Sequence, residues 1–338
     1  MSKSDPLILV VGGAGYIGSH ICKELHKCGY IPVCYDNLIY GHTWAVKWGP
    51  FEKGDIKDQE RLNQVFAAHR IEGVIHLAAF AYVGESVTEP SKYYTNNVAG
   101  TISLLNAMRN NNVNKIVFSS TCAVYGIPAT VPISEKEPLN PVNPYGASKM
   151  MVERILRDYH HAYGLGFVAL RYFNAAGADP EGEIGEVHNP ETHLIPLALD
   201  VALGRRKELA VFGNSYQTPD RTCIRDYIHV ADLARAHVLS LKFLEKKEPA
   251  AGLSINLGTG KGTSILEIIK AGEEVSGGKI NYRIAPPREG DPAVLVADPS
   301  QALKTLNWKA DYADIRTVIR HAWNFQKKAD TIVSRSLN

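Results

Sequence analysis

The feature that most constrains this chain is a glycine cluster, Gly12-Gly13-Ala14-Gly15-Tyr16-Ile17-Gly18, set directly after the apolar run Leu7 to Val11. Glycines spaced G-x-x-G-x-x-G at a strand-to-helix junction have a mechanical purpose. Without side chains the backbone turns tightly and approaches a pyrophosphate, whose charge then rests on the amides at the helix N-terminus. The spacing alone also suits a plain tight turn, so its surroundings decide. Here Ile17, Ile21 and Leu25 recur at i+4 along the segment that follows, and Gly29 stands where a helix C-cap glycine belongs.

Five more β-branched or aromatic runs alternate with amphipathic stretches: Ile31 to Tyr35, a weak one near Phe51, Val74 to Ala78, Lys115 to Ser119, and Phe167 to Tyr172. This is how βαβ units around a buried parallel sheet read, and it predicts a Rossmann-type, doubly wound α/β fold. After Asn174 the sequence loosens into Gly, Pro and acidic residues as far as His193, followed by a helix near Leu194 to Leu203 and a strand near Leu209 to Phe212. Asp232 to Phe243 and Ser254 to Leu257 again read as a helix and a buried strand, so the chain is expected to return to its first sheet. The expected division is a dinucleotide-binding domain over residues 1–176 with returning segments about 229–260, and a smaller, intertwined C-terminal α/β substrate domain over 177–338.

Asp36 ends the second run, 18 residues after Gly18. An acidic side chain there accepts hydrogen bonds from the adenosine ribose and repels a 2′-phosphate, which favours NAD over NADP. Asp36-Asn37 also suits a simple turn. Asp55-Ile56, after the weak third run, is a further candidate for the adenine end.

The 37 basic and 35 acidic side chains leave a formal charge of +2, too small a field to imply nucleic-acid or membrane binding. Any positive site must be local. Cys22, Cys28, Cys34, Cys122 and Cys223 show no C-x-x-C and no paired spacing, so a reducing, cytoplasmic setting is expected, without disulfides. The polar start, Met1 to Asp5, carries no signal-peptide pattern, and no apolar span approaches 20 residues.

Pro144-Tyr145-Gly146-Ala147-Ser148-Lys149 opens a helix whose Val152, Ile155, Leu156 and Tyr159 face a core, so Tyr145 and Lys149 share a face at i and i+4. A free tyrosine titrates near 10 and is a poor base at neutral pH. An adjacent ammonium and a cationic nicotinamide favour the phenolate, and a three-unit drop needs only about 4 kcal/mol. An isolated Y-x-x-x-K is more often a surface pair. Ser119-Ser120-Thr121, however, follows the fifth run and sets hydroxyls at the C-terminal edge of the sheet, where α/β ligand sites form. Thr121 is the candidate to share a substrate proton with Tyr145, with turn capping as its alternative role.

At this point the chain resembles the extended short-chain dehydrogenase/reductase family and, within it, the UDP-glucose (UDP-galactose) 4-epimerases. The resemblance covers nearly the whole chain. It is carried by Gly12 to Ser19, Asp36-Asn37-Leu38, Gly54-Asp55-Ile56, Val83-Gly84-Glu85-Ser86, Asn96-Asn97-Val98, Tyr145 to Lys149, Arg171-Tyr172-Phe173-Asn174, Arg225 to His229, and Arg288-Glu289-Gly290-Asp291. It implies C4 inversion without net redox change. Hydride passes from sugar C4 to tightly held NAD while Tyr145 takes the hydroxyl proton, the 4-keto sugar turns over, and hydride returns to its other face. It implies a cofactor site of Gly12, Gly15, Tyr16, Ile17, Gly18, Asp36, Asn37, Leu38, Asp55, Ile56, Leu77, Ala78, Ala79, Asn96 and Phe173, with Tyr145 and Lys149. Asn174, His193, Leu194, Phe212, Arg225, Arg288 and Asp291 would hold the UDP moiety, and Thr121, Tyr145 and Leu295 would meet the sugar. A homodimer joined through the helices after Pro90 and after Tyr145 is also implied.

Chemistry supports part of this independently, because a guanidinium is a planar fork suited to two phosphate oxygens. The alternative is that Arg225 pairs with an acid such as Asp226. Cys122-Ala123 stands where nucleotide-sugar dehydratases carry an acidic pair, which removes the acid and base that elimination needs. Thr121 replaces the family's usual Ser, Ala81 stands where some relatives have Lys, and Leu295 stands where hexose-selective relatives have Tyr. The smaller Leu295 favours room for an N-acetyl group, and Ala79 to Tyr82 with Ser120 to Ala123 also resembles UDP-pentose 4-epimerases. His20, His26, His76, His160, His161 and His193 lack metal-ligand spacing, so no metal is expected. A sensor without chemistry need not keep Tyr145, Lys149 and Thr121 together.

Overall fold

The computed structural model describes residues 5–247, 250–288 and 290–335. Its strands are β1 (Leu7–Val11), β2 (Ile31–Asp36), β3 (Phe51–Lys53), β4 (Ile71–His76), β5 (Lys115–Thr121), β6 (Gly166–Tyr172), β7 (Asn174–Ala176), β8 (Leu209–Phe212), β9 (Ile224–Arg225), β10 (Tyr227–His229), β11 (Gly252–Leu257), β12 (Thr263–Ser264), β13 (Tyr282–Ala285) and β14 (Val294–Leu295). Its helices are α1 (Tyr16–Lys27), α2 (Gln59–Ala68), α3 (Val83–Thr88), α4 (Pro90–Tyr93), α5 (Gly100–Asn110), α6 (Pro144–Tyr163), α7 (Leu194–Ala202), α8 (Val230–Glu245), α9 (Ile265–Ser276), α10 (Ser300–Leu306) and α11 (Ile315–Arg335).

A seven-stranded sheet runs in the order β11-β6-β5-β4-β1-β2-β3, and β1 pairs in parallel with both β2 and β4. The order reverses at β1 and β4, the switch point of a doubly wound fold, so the Rossmann expectation holds. Successive strand residues serve opposite faces. Leu9, Val11, Val33, Tyr35, Val74, Ile116 and Phe118 pack against Leu62 and Phe66 of α2, Leu104 and Met108 of α5, and Val152 and Leu156 of α6. On the opposite face, a side chain at Gly73 would meet Leu241 of α8 at 3.0 Å and Ile8 at 3.7 Å. Burial on both faces explains why these strands read as continuous apolar runs.

The chain forms two compact units. Among the described residues, the first takes the chain up to Gly126, then Leu139–Arg171 and Ala234–Ile255; the second takes Ile127–Pro138, Tyr172–Leu233 and Asn256 onward. The returning strand and helix are β11 and α8. The excursion at Ile127–Pro138 left no signal in the sequence pattern. In the second unit α9 separates two cores by helical spacing, with Ile268 and Ala271 in one and Ile265 and Ile269 in the other. Ser264 and Glu267 form a capping box at its start.

Inside the first unit a buried ion pair joins α6 to β6. Arg171 donates through Nε to Glu153 Oε1 at 2.9 Å and through Nη2 to Oε2 at 2.6 Å, and through Nη1 to the Tyr125 hydroxyl at 2.9 Å. Ser120 and Ser254 donate their hydroxyls to the same carboxylate at 2.6 and 3.0 Å. Burial raises the Glu153 carboxyl, but these partners outweigh it and hold it below the ordinary carboxylate range. Such a group adds stability above its unfolded-state pKa, and the contribution is lost as pH falls through the folded value. Glu153→Gln is therefore expected to cost about 3–5 kcal/mol at pH 7 because it leaves Arg171 buried and unpaired. Urea unfolding measures this, and the gap from the parent protein should narrow on acidification; a gap independent of pH contradicts the assignment.

Candidate active site

The glycine turn is built by close backbone approach. Gly12 has φ +87°, its amide donates to Tyr35 O at 2.8 Å, and a Cβ there would stand 2.7 Å from Ala78 N. At Gly18 a Cβ would lie 2.1 Å from Gly12 O and 2.8 Å from Gly13 Cα. The first turn of α1 starts at Tyr16 and Ile17, with Gly15 before it and no side-chain cap bond from that residue, so the positive end of the helix faces the turn. Leu77 and Ala78 both donate their amides to Val11 O, at 2.8 and 3.0 Å, which keeps the Leu77-Ala78-Ala79 segment beside the turn.

Asp36 closes β2 with its carboxylate buried, accepting from Ala14 N at 3.1 Å and from Leu38 N at 2.8 Å. Leu38 takes the left-handed conformation, φ +63°. Burial raises the Asp36 carboxyl, opposed by those two amides. Each oxygen retains acceptor capacity, so this is a turn and a potential ribose acceptor at once. Asn37 Nδ2 donates to Asp55 Oδ2 at 3.2 Å, which draws the weaker Asp55 motif to the same corner, with Ile56 buried beneath it. Asn96 lies in a π-helical turn, residues 94–99, between α4 and α5, and donates to Asn97 Oδ1 at 3.1 Å. Asn97 stands in the sequence only as part of the Asn96-Asn97-Val98 motif, without a role of its own. It accepts from Phe80 N at 2.9 Å and donates to Ser148 Oγ at 3.1 Å, tying the loop after β4 to α6.

α6 is started by Asn143, which accepts from Gly146 N at 2.8 Å, and by Pro144 at its first position. A Cβ at Gly146 would sit 2.5 Å from Ala123 O, so this helix end is pressed onto the turn that follows Thr121. The Thr121 hydroxyl accepts from Ala123 N at 3.2 Å, the turn role weighed above. Its other lone pair and its proton are not used by that bond. Lys149 is buried and donates through Nζ to Ser119 O at 2.8 Å, with Nζ 6.0 Å from the Tyr145 ring centroid and 4.9 Å from that of Phe118. Burial pulls the Lys149 ammonium down to about 7.

His76, seen in the sequence only as a residue without ligand spacing, ends β4 near this ammonium. Its Nε2 lies 2.9 Å from Thr101 Oγ1, whose proton goes to Asn97 O at 2.6 Å. Nε2 is therefore the donor, and Nδ1, buried and without a hydrogen-bond partner among the described residues, is the bare acceptor. Burial, with Lys149 nearby, holds His76 down to about 3. A histidine at the C-terminal end of a central strand was the signal for it.

The second unit gathers the other candidates. Phe173 is buried and its amide donates to Leu257 O at 3.3 Å; Asn174 opens β7 and donates its amide to Asp226 O at 3.0 Å. Arg225 does not pair with Asp226, whose carboxylate is filled by Thr259, Gly260 and Ala297. Arg225 pairs with Asp291, and Leu295 of β14 stands beside it in register. The Arg288 guanidinium covers the Phe212 ring at 4.1 Å. Glu289, between these motif residues, lies outside the described residues. Tyr216, another residue not foreseen, is within range of Arg225, Arg288 and Asp291 and has a buried hydroxyl with no partner among the described residues. Leu194 begins α7, and His193 caps it without a side-chain cap bond, its imidazole turned to Glu186 and Glu191 at 2.6 and 3.1 Å.

The residues present fit a dinucleotide. Gly12, Gly13 and Gly18 leave no room for a Cβ, the turn leads straight into a helix N-terminus, and Asp36 offers carboxylate oxygens at the ribose position. Buried Arg225, exposed Arg288 over the Phe212 ring, and the Tyr216 hydroxyl, without a partner among the described residues, likewise fit an acidic nucleotide in the second unit. All five cysteines are free, and Cys122-Ala123 opens a short 3₁₀ turn that carries no carboxylate.

A parallel sheet with this turn, and a Tyr-x-x-x-Lys helix beside a strand-end hydroxyl, define a short-chain dehydrogenase type of site. The chain belongs to the NAD dependent epimerase/dehydratase family, which it matches over residues 8–258. It is 51% identical over 321 residues to the UDP-glucose 4-epimerase of Rhizobium meliloti (strain 1021), covering 95% of this chain and 97% of that protein. The UDP-glucose 4-epimerase of Brucella ovis, solved in complex with NAD, superposes with a TM-score of 0.92 at 53% identity, covering 95% and 98% of the two chains. That of Bifidobacterium longum, solved with NAD+ and UDP, gives 0.91 at 42% identity over 96% and 99%.

Gly18→Ala is expected to cost about 1–3 kcal/mol, since its methyl would press on fixed backbone. Gly84→Ala in α3, where a Cβ meets nothing within 4 Å, is the matched control. Thermal unfolding of the two variants should separate them clearly, and equal midpoints would count against the cradle.

Proposed function

We propose that this chain is an NAD-dependent UDP-sugar 4-epimerase acting on UDP-galactose and UDP-glucose. The observation that carries the reading is the Lys149 ammonium, buried against Ser119 O beside the Tyr145 ring, in a chain 51% identical to a UDP-glucose 4-epimerase along nearly its whole length.

Gly12, Gly15, Tyr16, Ile17 and Gly18 hold the cofactor pyrophosphate at the start of α1, and Asp36, with Asn37, Leu38, Asp55 and Ile56, takes the adenosine end. Leu77 to Ala79, Asn96 and Phe173 complete that site. Bound NAD supplies the hydride acceptor, and then the hydride donor, at sugar C4. Tyr145 takes the C4 hydroxyl proton as the alcohol becomes a ketone and returns it when the other face is reduced, so atoms and electrons balance within one turnover. Thr121 holds the same hydroxyl. The Lys149 ammonium and a phenolate at Tyr145 attract each other, which favours the charged form of each. Asn174, His193, Leu194, Phe212, Arg225, Arg288 and Asp291 hold the UDP moiety, with the guanidiniums on its phosphates. Arg225 must then share its fork between Asp291 and substrate.

Leu295, beside Arg225 on β14, leaves more room than a tyrosine, and this favours acceptance of a UDP-N-acetylhexosamine as well. A UDP-pentose is the third sugar to test. A homodimer through α5 and α6, whose Ile102 and Met151 are exposed, and a cytoplasmic location, consistent with five free cysteines, belong to the same reading.

Purified protein given UDP-galactose without added nucleotide or reductant should form UDP-glucose, resolved by chromatography. Absence of C4 inversion with UDP-galactose, UDP-N-acetylgalactosamine and a UDP-pentose alike rejects the reading. Tyr145→Phe should lower kcat by about 10²- to 10⁴-fold while UDP affinity, read by calorimetry, is kept. Lys149→Met removes the ammonium that favours the phenolate, so the acid limb of the pH–rate profile should move to higher pH; an unmoved limb would separate Lys149 from the chemistry.

A further inference from the structure

The loop entering α7 carries a second constellation, Glu186-x-His188-x-x-Glu191-x-His193, four nitrogen and oxygen donors within eight residues. In the structure one ligand atom from each of the four side chains lies within 4.8 Å of all the others. His193 Nδ1 is 2.6 Å from Glu186 Oε1 and 3.1 Å from Glu191 Oε1, while His188 Nδ1 is 3.2 Å from Glu186 Oε1 and 3.6 Å from Glu191 Oε2.

The two His188 separations, 3.2 and 3.6 Å, lie near the edge of a coordination tetrahedron, while the two His193 separations are shorter and would open slightly around an ion. Ligands bonded at about 2.0–2.2 Å around one tetrahedral ion stand about 3.4 Å apart. The donor set, two imidazoles and two carboxylates, suits a borderline first-row dication such as Zn²⁺ better than Ca²⁺ or Mg²⁺, which prefer oxygen alone. The frame is fixed from both ends. A Cβ at Gly185 would stand 2.2 Å from Phe325 Cδ1, so the loop is pressed onto α11, and Ile195 in the first turn of α7 is buried in the adjoining core. Glu191 Oε1 also accepts the backbone amides of Thr192 and His193 at 2.7 and 2.8 Å, which orients it as an outer hydrogen bond orients a ligand. The side chains of Glu186, Glu191 and His188 are 7%, 14% and 16% exposed and that of His193 is 50%, so the site has three sheltered donors and one open side for entry.

We propose that Glu186, His188, Glu191 and His193 form a structural binding site for a divalent transition-metal ion that clamps the start of α7. Four protein donors leave no open position, so the ion does no chemistry itself and braces the loop that presents His193 and Leu194 to the UDP moiety. The same contacts are also available to two protonated imidazoles facing two carboxylates, and metal titration separates the two arrangements.

The full-length protein, stripped with a chelator and desalted, is titrated with Co²⁺ and followed by visible absorbance. The proposal expects intense tetrahedral-type d–d bands that saturate at one equivalent, bleach when Zn²⁺ is added, and accompany a higher melting temperature. His188→Ala and Glu186→Gln should each weaken binding by about 100-fold or more, with far-UV circular dichroism confirming that the variants fold. Ion pairs alone would give no d–d bands and no thermal shift with either metal, which overturns the proposal without recourse to any variant. Bands unchanged in a folded His188→Ala overturn it equally.

Discussion

The Glu153–Arg171 pair is the contact on which the placement of α6 depends. One buried carboxylate receives a bidentate guanidinium from β6 and hydroxyls from the end of β5 and from β11. A charge taken out of water tolerates few geometries, because each lost partner leaves an unmet demand in a low-dielectric interior. α6 is therefore fixed in rotation as well as in position. Lys149, four residues before Glu153 and one turn along the same helix, is set at Ser119 O by that rotation, and Tyr145 one turn further on. Whatever displaces Glu153 displaces the ammonium and the phenol together.

Electrostatics around Lys149 work in two directions. Burial alone makes its ammonium weakly held, and neutral His76 behind it presents a bare nitrogen without adding a charge. The lysine is thus prepared to respond to a negative neighbour. In the second unit the balance differs, since Arg225 already has a carboxylate partner in Asp291, with which a phosphate bound there would have to compete. That competition would moderate affinity and assist release of the nucleotide.

The first unit was largely legible because its signals are local. The glycine spacing, Asp36 at a strand end, and Tyr145 with Lys149 at helical spacing each state a backbone requirement within a few residues, and the apolar runs, Ser254 to Leu257 included, located all seven sheet strands. Strand ends were less legible: the fourth run was read as Val74 to Ala78, whereas β4 is Ile71–His76, because Glu72 interrupts the apolar pattern on the exposed side. What escaped were partnerships across long separations. Glu153 with Arg171, Asn97 with Ser148, and His76 with Thr101 cannot be read from spacing, since the topology brings them together. The pairing of Arg225 with Asp291 rather than Asp226 is of the same kind, as neighbours along a strand point to opposite faces. The Glu186 to His193 cluster was local and readable, and was missed only because its four residues were not considered as a set.

The late arrival of β11 and α8 has a consequence for the chain's history on the ribosome. The sheet's edge beside β6, and one hydroxyl on the Glu153 carboxylate, come from residues beyond 250, so the dinucleotide half cannot be finished when residue 176 has been made. A long segment of the other half is synthesised first and must be kept out of the way meanwhile. The two halves are therefore woven rather than concatenated, and neither can be exchanged between relatives by a single cut and fusion. Divergence of substrate preference in such an architecture is carried by point substitution and loop change rather than by exchange of halves, since the segments of the two units alternate along the chain.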